Sequence, residues 1–218
     1  MITISAFGWV PPFAQGLVRD LRVRWALEEA CLSYNERLIG PEEQASAAYR
    51  ALQPFGQVPT YEDDEAGISI FESGAIVLHI AERSEALLPA DPAARARAIT
   101  WMFAALNSIE PHIQNLAAID LFFADQEWAK LRRPGALEMV EKRLDELAGW
   151  LGGRAWLEGD FTAGDLMMAS VLRILRHTDL VAARPALDAY RLRCEARPAF
   201  QKALADQMAP FARNAPPA

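Results

Sequence analysis

Apolar and polar residues alternate in two rhythms along this chain, and the change comes near residue 90. Ile2 to Phe7 is a short apolar run with β-branched residues, and it reads as a buried strand broken by Trp9-Val10-Pro11-Pro12. From about Gly16 to Ala30, Leu17, Val18, Leu21 and Trp25 fall on one helical face with arginines elsewhere. Tyr34 to Leu38 predicts a second strand and Glu42 to Leu52 a second helix. Pro59–Glu62 and Ile68–Phe71 predict a hairpin across an acidic turn ending in Gly67, and Ser73 to Arg83 a third helix.

After residue 83 the two-residue period disappears. Leu87-Leu88-Pro89-Ala90-Asp91-Pro92 reads as a linker, because two prolines interrupt the flanking helical patterns. Residues 93 to 123 read as helical, with a kink at Pro111. Leu137, Val140, Leu144, Leu147 and Leu151 recur at spacings of three and four and predict a helix over Gly135–Leu151. Thr162-x-x-Asp165 has the shape of a capping box before Leu166–Leu175. Pro185–Arg197 and Pro198–Gln207 predict the last helices, and residues 210 to 218 are expected to fray. The expected organisation is an α/β domain over 1–83, a linker over 84–92, and an all-α domain over 93–218.

Composition narrows the function classes. A chain of 218 residues, 52% hydrophobic and 23% charged, can bury a sizeable core. The net charge of −7 argues against general nucleic-acid affinity. No apolar run is long enough for a membrane span, and the start lacks the pattern of a signal peptide. Cys31 and Cys194 lie far apart and outside any CxxC pair, which suits a reducing cytoplasm. His79, His112 and His177 have no ligand spacing, so no metal is expected.

The chemistry-bearing pattern is Gln57-Val58-Pro59 followed by Glu72-Ser73. A proline at a strand's first residue marks exposed backbone or a cis bond. With a cis bond, the N–H and C=O of Val58 face outward and can pair with a short extended peptide. Ser73 opens a helix whose N-terminal N–H groups and positive dipole end suit a carboxylate. Together these read as a site for a small anionic peptide; a tight turn and an ordinary N-cap are the plain alternative.

The sequence resembles the glutathione transferase superfamily in four stretches that occur in the family's order. They are Val23-Arg24-Trp25-Ala26-Leu27-Glu28-Glu29, Gln53-Pro54-Phe55-Gly56-Gln57-Val58-Pro59, Glu72-Ser73-Gly74-Ala75-Ile76 and Phe161-Thr162-Ala163-Gly164-Asp165. The resemblance implies a thioredoxin-like N-terminal domain, an all-helical C-terminal domain, and a cytoplasmic, detoxifying homodimer with glutathione as co-substrate and no metal. Val58, through the bend at Pro59, would pair with the cysteinyl residue of glutathione. Glu72 would hold the γ-glutamyl ammonium, Ser73 its carboxylate, and Gln57 would reach toward the glycyl end.

The family activates the thiol with a Tyr, Ser or Cys near the first strand's end, and here the chain departs from it. Ungapped counting puts Phe13 or Leu17 at that place, and neither donates a hydrogen bond. The remaining donors are Ser5, Trp9, Gln15 and main-chain N–H groups at the start of the first helix, and we expect the main-chain groups to act. Trp9, Val10, Phe13, Trp101, Ala105, Ser108 and His112 are the expected lining for a small electrophilic, apolar second substrate. Glutathione-dependent isomerisation or peroxide reduction would need the same thiolate. A non-catalytic relative serving as an interaction module, as some transcription- and translation-associated members do, is the reading from a different class.

Overall fold

The computed structural model describes residues 1–216; the last two positions of the stretch expected to fray lie outside the described residues. The chain divides into two units. One is Met1–Leu87 together with the segment from Arg197 onward, and the other is Leu88–Ala196.

The first unit carries a four-stranded sheet in the order β2-β1-β3-β4, from β1 (Ile2–Phe7), β2 (Tyr34–Ile39), β3 (Thr60–Asp63) and β4 (Ile68–Phe71). β1 and β2 are parallel, with Ile2 opposite Tyr34 and Phe7 opposite Ile39. β3 is antiparallel to both β1 and β4, placing Tyr61 beside Ile4 and Thr60 beside Phe71. With the helices α1 (Asp20–Glu29), α2 (Pro41–Ala45), α3 (Ala47–Leu52) and α4 (Ser73–Glu82), this is the thioredoxin-like arrangement. The region expected as one helix over 42–52 is two, because Ser46 turns extended and its hydroxyl caps α3 by accepting the Tyr49 N–H at 3.2 Å.

Every residue of α1 from Asp20 to Leu27 is buried, the arginines included. The arginines that fall off the Leu17, Val18, Leu21 and Trp25 face are thus covered as well. Arg24, fully buried, donates to Asp20 at 2.8 Å and to Glu36, so the charge that hydration would have held is held by two carboxylates. Burial pushes the Asp20 carboxyl above its ordinary range against the pull of Arg24.

The second cover of α1 is the chain's last helix. Of the helices in order, α5 (Pro92–Phe103), α6 (Glu110–Phe122), α7 (Glu127–Leu151), α8 (Ala163–Leu172) and α9 (Pro185–Glu195) form the second unit, but α10 (Pro198–Arg213) packs on α1 in the first. Trp25 meets Phe200 edge-on with centroids 4.8 Å apart, and Gln207 donates to Asp20 at 2.7 Å. Assigning all of 93–218 to the helical domain thus differs from the observed grouping. Residues 210 to 213 are helical, not frayed, because Phe211 is buried.

In the second unit, the expected kink at Pro111 appears as a wider π-helical segment, Ala104–Ile109, between α5 and α6. α7 begins earlier than the leucine spacing indicated and runs through Pro134. The Thr162/Asp165 capping box is present at the head of α8. A Cβ on Gly164 would lie 2.6 Å from Trp101, so that glycine is what lets α8 approach α5. No helix among the described residues is long and apolar enough to cross a membrane.

Candidate functional site

The loop between α3 and β3 is fixed residue by residue. Gly56 has φ +62, and the Arg50 side chain occupies the space a Cβ would need. Gln44 donates to the Gly56 carbonyl at 2.6 Å, and the Phe55 N–H is held by Gln53 at 2.7 Å. The Val58–Pro59 bond is cis. The Val58 side chain packs with Ile39 and Tyr49 against Phe7 and Val18. Neither the N–H nor the C=O of Val58 has a hydrogen-bond partner among the described residues, so both are free to pair with an extended chain. The Gln57 side chain is exposed, while its carbonyl accepts from the Tyr49 hydroxyl at 2.7 Å.

At the head of α4, Glu72 adopts φ +71, ψ 115, a conformation that costs energy for a residue with a Cβ. Its carboxylate is exposed and without a partner among the described residues. Ser73 is buried, and its Oγ accepts from Arg22 at 3.4 Å, which leaves the hydroxyl proton available to an acceptor. The first N–H with an acceptor is that of Ile76; those of Ser73, Gly74 and Ala75 are unclaimed among the described residues. A free carboxylate, a free hydroxyl proton and three N–H groups at one helix terminus are what a zwitterionic end group requires.

A cleft of ≈ 590 Å³ opens beyond the C-terminal ends of β1 and β2. Phe7, Trp9, Val10, Leu38, Ile39 and Pro41 give it an apolar lining, and Gln44 and Asn214 add amides. Phe7 and Ile39 also touch the Val58 cluster, so the cleft and the cis-proline loop share a wall. Of the expected second-substrate residues, Trp9 and Val10 line this cleft; Phe13 is exposed and does not. Trp101, Ala105, Ser108 and His112 belong to the second unit. There the Trp101 indole donates to Glu158 at 2.9 Å and lies 5.2 Å from the Trp150 ring. Ala105 is fully buried, Ser108 is exposed and His112 is half-buried.

The thiol-activating candidates separate clearly. Ser5 is 1% exposed and its Oγ meets the Tyr49 hydroxyl at 2.8 Å, the Thr60 N–H at 2.7 Å and the Thr60 hydroxyl at 2.9 Å. That saturates a serine, which is a core hydroxyl here. Gln15 donates to the Val10 carbonyl at 3.0 Å and braces the loop. The main-chain donors at the start of α1 are engaged as well. Leu21 N–H meets the Val18 carbonyl and Arg22 N–H the Arg19 carbonyl. The expectation that this terminus lowers a thiol pKa is corrected accordingly. Trp9 remains: its indole N–H and main-chain N–H lack partners among the described residues, as does the Val10 N–H, and both residues line the cleft.

Sequence reasoning missed Arg22 beside Ser73, Tyr49 behind Gln57, and Leu38, Pro41 and Asn214 in the cleft. Their partners are distant in sequence, and only the strand-end position of Leu38 and Pro41 gave a signal, since ligands gather at the carboxyl ends of parallel strands.

Comparison with known proteins gives one consistent result. Residues 14–82 match the family model for the glutathione S-transferase N-terminal domain, and residues 117–198 that for the C-terminal domain. A glutathione S-transferase of Hyoscyamus muticus is 31% identical over 172 residues, covering 70% of this chain and 76% of the relative. The disulfide-bond oxidoreductase YfcG of Escherichia coli (strain K12) is 27% identical over 193 residues, covering 82% and 86%. A glutathione transferase from Pseudomonas putida, crystallised with one glutathione disulfide per subunit, superposes with a TM-score of 0.81 at 23% identity, covering 93% of this chain and 90% of that one.

Proposed function

The chain belongs to the glutathione transferase superfamily, and from that premise we propose that it is a transferase joining the glutathione thiolate to a small apolar electrophile. The observation that carries the reading is the pairing of an unclaimed Val58 main chain with the unclaimed head of α4. The cysteinyl residue of glutathione pairs with Val58 across the Pro59 bend. Its γ-glutamyl carboxylate sits on Ser73 and the N–H groups of α4, and its ammonium on Glu72. Gln57, exposed at the loop tip, faces the glycyl end.

The electrophile occupies the apolar cleft, against Trp9 and Val10. The Trp9 indole N–H and the N–H groups of residues 9 and 10 stabilise the thiolate, which attacks the electrophilic carbon as the leaving group departs. The protein acts as a homodimer in a reducing cytoplasm; a sedimentation mass near the 24.1 kDa of one chain would count against the dimer.

The test is retention on immobilised glutathione followed by conjugation of a generic aryl halide. Retention with turnover sustains the proposal, and absence of both overturns it. Trp9→Phe should raise the pKa of the bound thiol, read from thiolate absorbance against pH, and slow conjugation by about tenfold or more. An unshifted titration in that variant would exclude the indole. One observation favours a second reading, a glutathione-binding module without turnover: Ser5, the one hydroxyl among the candidate activators, is consumed in the core. Retention without turnover selects it.

A further inference from the structure

The hydroxyls behind the cis-proline loop form a chain whose direction can be assigned atom by atom. Tyr49 Oη lies 2.7 Å from the Gln57 carbonyl, which can only accept, so the tyrosine proton is committed there. Tyr49 Oη therefore receives from Ser5 Oγ, 2.8 Å away, although that contact alone leaves the donor open. Ser5 in turn accepts from the Thr60 N–H and the Thr60 hydroxyl, at 2.7 and 2.9 Å. Tyr49 and Ser5 are 2% and 1% exposed, and burial pushes the Tyr49 hydroxyl above its ordinary range, so it stays a donor.

This chain grips the Val58-Pro59 pair from both ends. On one side it holds the carbonyl of Gln57, on the other the amide of Thr60. The Gln57–Val58 peptide is trans and planar, so its C=O and N–H point in opposite directions. With the carbonyl drawn inward onto Tyr49, the Val58 N–H is turned away from the buried network, toward the side on which it has no protein partner.

We infer that Tyr49 and Ser5 are positioning residues for glutathione: their hydroxyl relay, touching no ligand itself, aims the Val58 amide that the peptide must meet. The inference rests on the proposed glutathione site. It separates two jobs usually joined in a buried tyrosine, filling a core and orienting a main chain. Tyr49→Phe keeps the first and removes the second, since the ring still packs on Ile39 and Val58.

The experiment is calorimetric titration of the full chain, Tyr49→Phe, Ser5→Ala and the double variant with glutathione and with S-methylglutathione, beside thermal melts. The blocked thiol separates peptide binding from thiol activation. Tyr49→Phe should weaken both ligands about three- to tenfold, the worth of one hydrogen bond lost from the site's framework. Ser5→Ala should weaken them about two- to threefold, because Tyr49 can still reach Gln57. The double variant should bind no worse than Tyr49→Phe, since both act through one relay. Lower melting temperatures with unchanged affinities would make the relay merely structural and overturn the inference. If Tyr49→Phe does not fold, Ser5→Ala decides alone, its affinity either falling or not. A parent chain that binds neither ligand overturns the glutathione reading and this inference with it; a parent that binds beside variants that bind equally overturns the inference alone.

Discussion

Two substitutions at Glu72 remove the same carboxylate and leave different backbones, which lets its two roles be measured separately. Glu72 is held at φ +71, ψ 115 between the end of β4 and the first turn of α4, while its carbonyl accepts the Ile76 N–H at 2.9 Å. A residue with a Cβ in such a conformation costs about 1–3 kcal/mol. Glycine visits positive φ freely but gives up about 0.5–1 kcal/mol more chain entropy on folding. The difference predicts that Glu72→Gly is more stable than Glu72→Ala by about 0.5–2 kcal/mol, or roughly 1–8 °C in melting temperature for a chain of this size. Both variants should bind glutathione about tenfold more weakly, the low end for a charge-assisted hydrogen bond because the carboxylate is solvent-exposed. The assay is scanning calorimetry of the ligand-free proteins and titration calorimetry with glutathione. An alanine variant as stable as the glycine variant would refute the backbone argument. Unchanged affinity in both would remove Glu72 from the site, and a much larger loss in glycine would transfer the effect from the carboxylate to the backbone.

Asp165→Ala should destabilise the second unit by about 3 kcal/mol or more, because one buried carboxylate accepts from the Leu157 and Thr162 N–H groups and the Thr162 and Tyr190 hydroxyls. Denaturant midpoints check it, and glutathione affinity measured well below the transition should hold within about twofold. Asp63→Asn should flatten the acid limb of the stability curve. Hydrogen bonding to Arg83 holds the Asp63 carboxyl below its unfolded value of 3.8, so its contribution is present above that pH and is lost as pH falls through the lowered value. Urea midpoints from roughly pH 5 down to pH 2 read the difference between parent and variant.

Local features were the legible ones. The strands Ile2–Phe7 and Ile68–Phe71, the Val58-Pro59 and Glu72-Ser73 pairs and the Thr162/Asp165 cap are all written within a few neighbouring residues. What the sequence hid depends on partners far along the chain. Ser5 meets Tyr49 and Thr60 at separations of 44 and 55 residues, and Arg22 meets Ser73 at 51, so no spacing rule marks them. Arg24 looks like a solvated helix position until Glu36 arrives from the neighbouring strand. Periodicity found the helix from Pro198 to Gln207 but neither its last turn to Arg213 nor its partner, since an amphipathic stripe specifies that a face is covered and not by what. The break at Ser46 is not legible in the sequence because helix-favouring residues (Glu42 to Ala45, Ala47 and Ala48) stand on both sides of it, and the hydroxyl's preference for capping won.

That last helix gives the first unit a discontinuous chain, with consequences for how the protein is made and cut. Residues 1–87 leave the ribosome about a hundred residues before Arg197, whose guanidinium meets Glu29 at 2.5 and 2.7 Å. Until then the buried Asp20 lacks Gln207 and the Trp25 ring lacks Phe200, so the nascent first unit waits open while the entire second unit can complete itself. A protease nicking the segment near Leu88 therefore frees no whole unit from the rest. The sheet-bearing fragment stays clasped to a helix carried by the other fragment, as in a complex of two complementary pieces, and gel filtration after such a nick should show them eluting together.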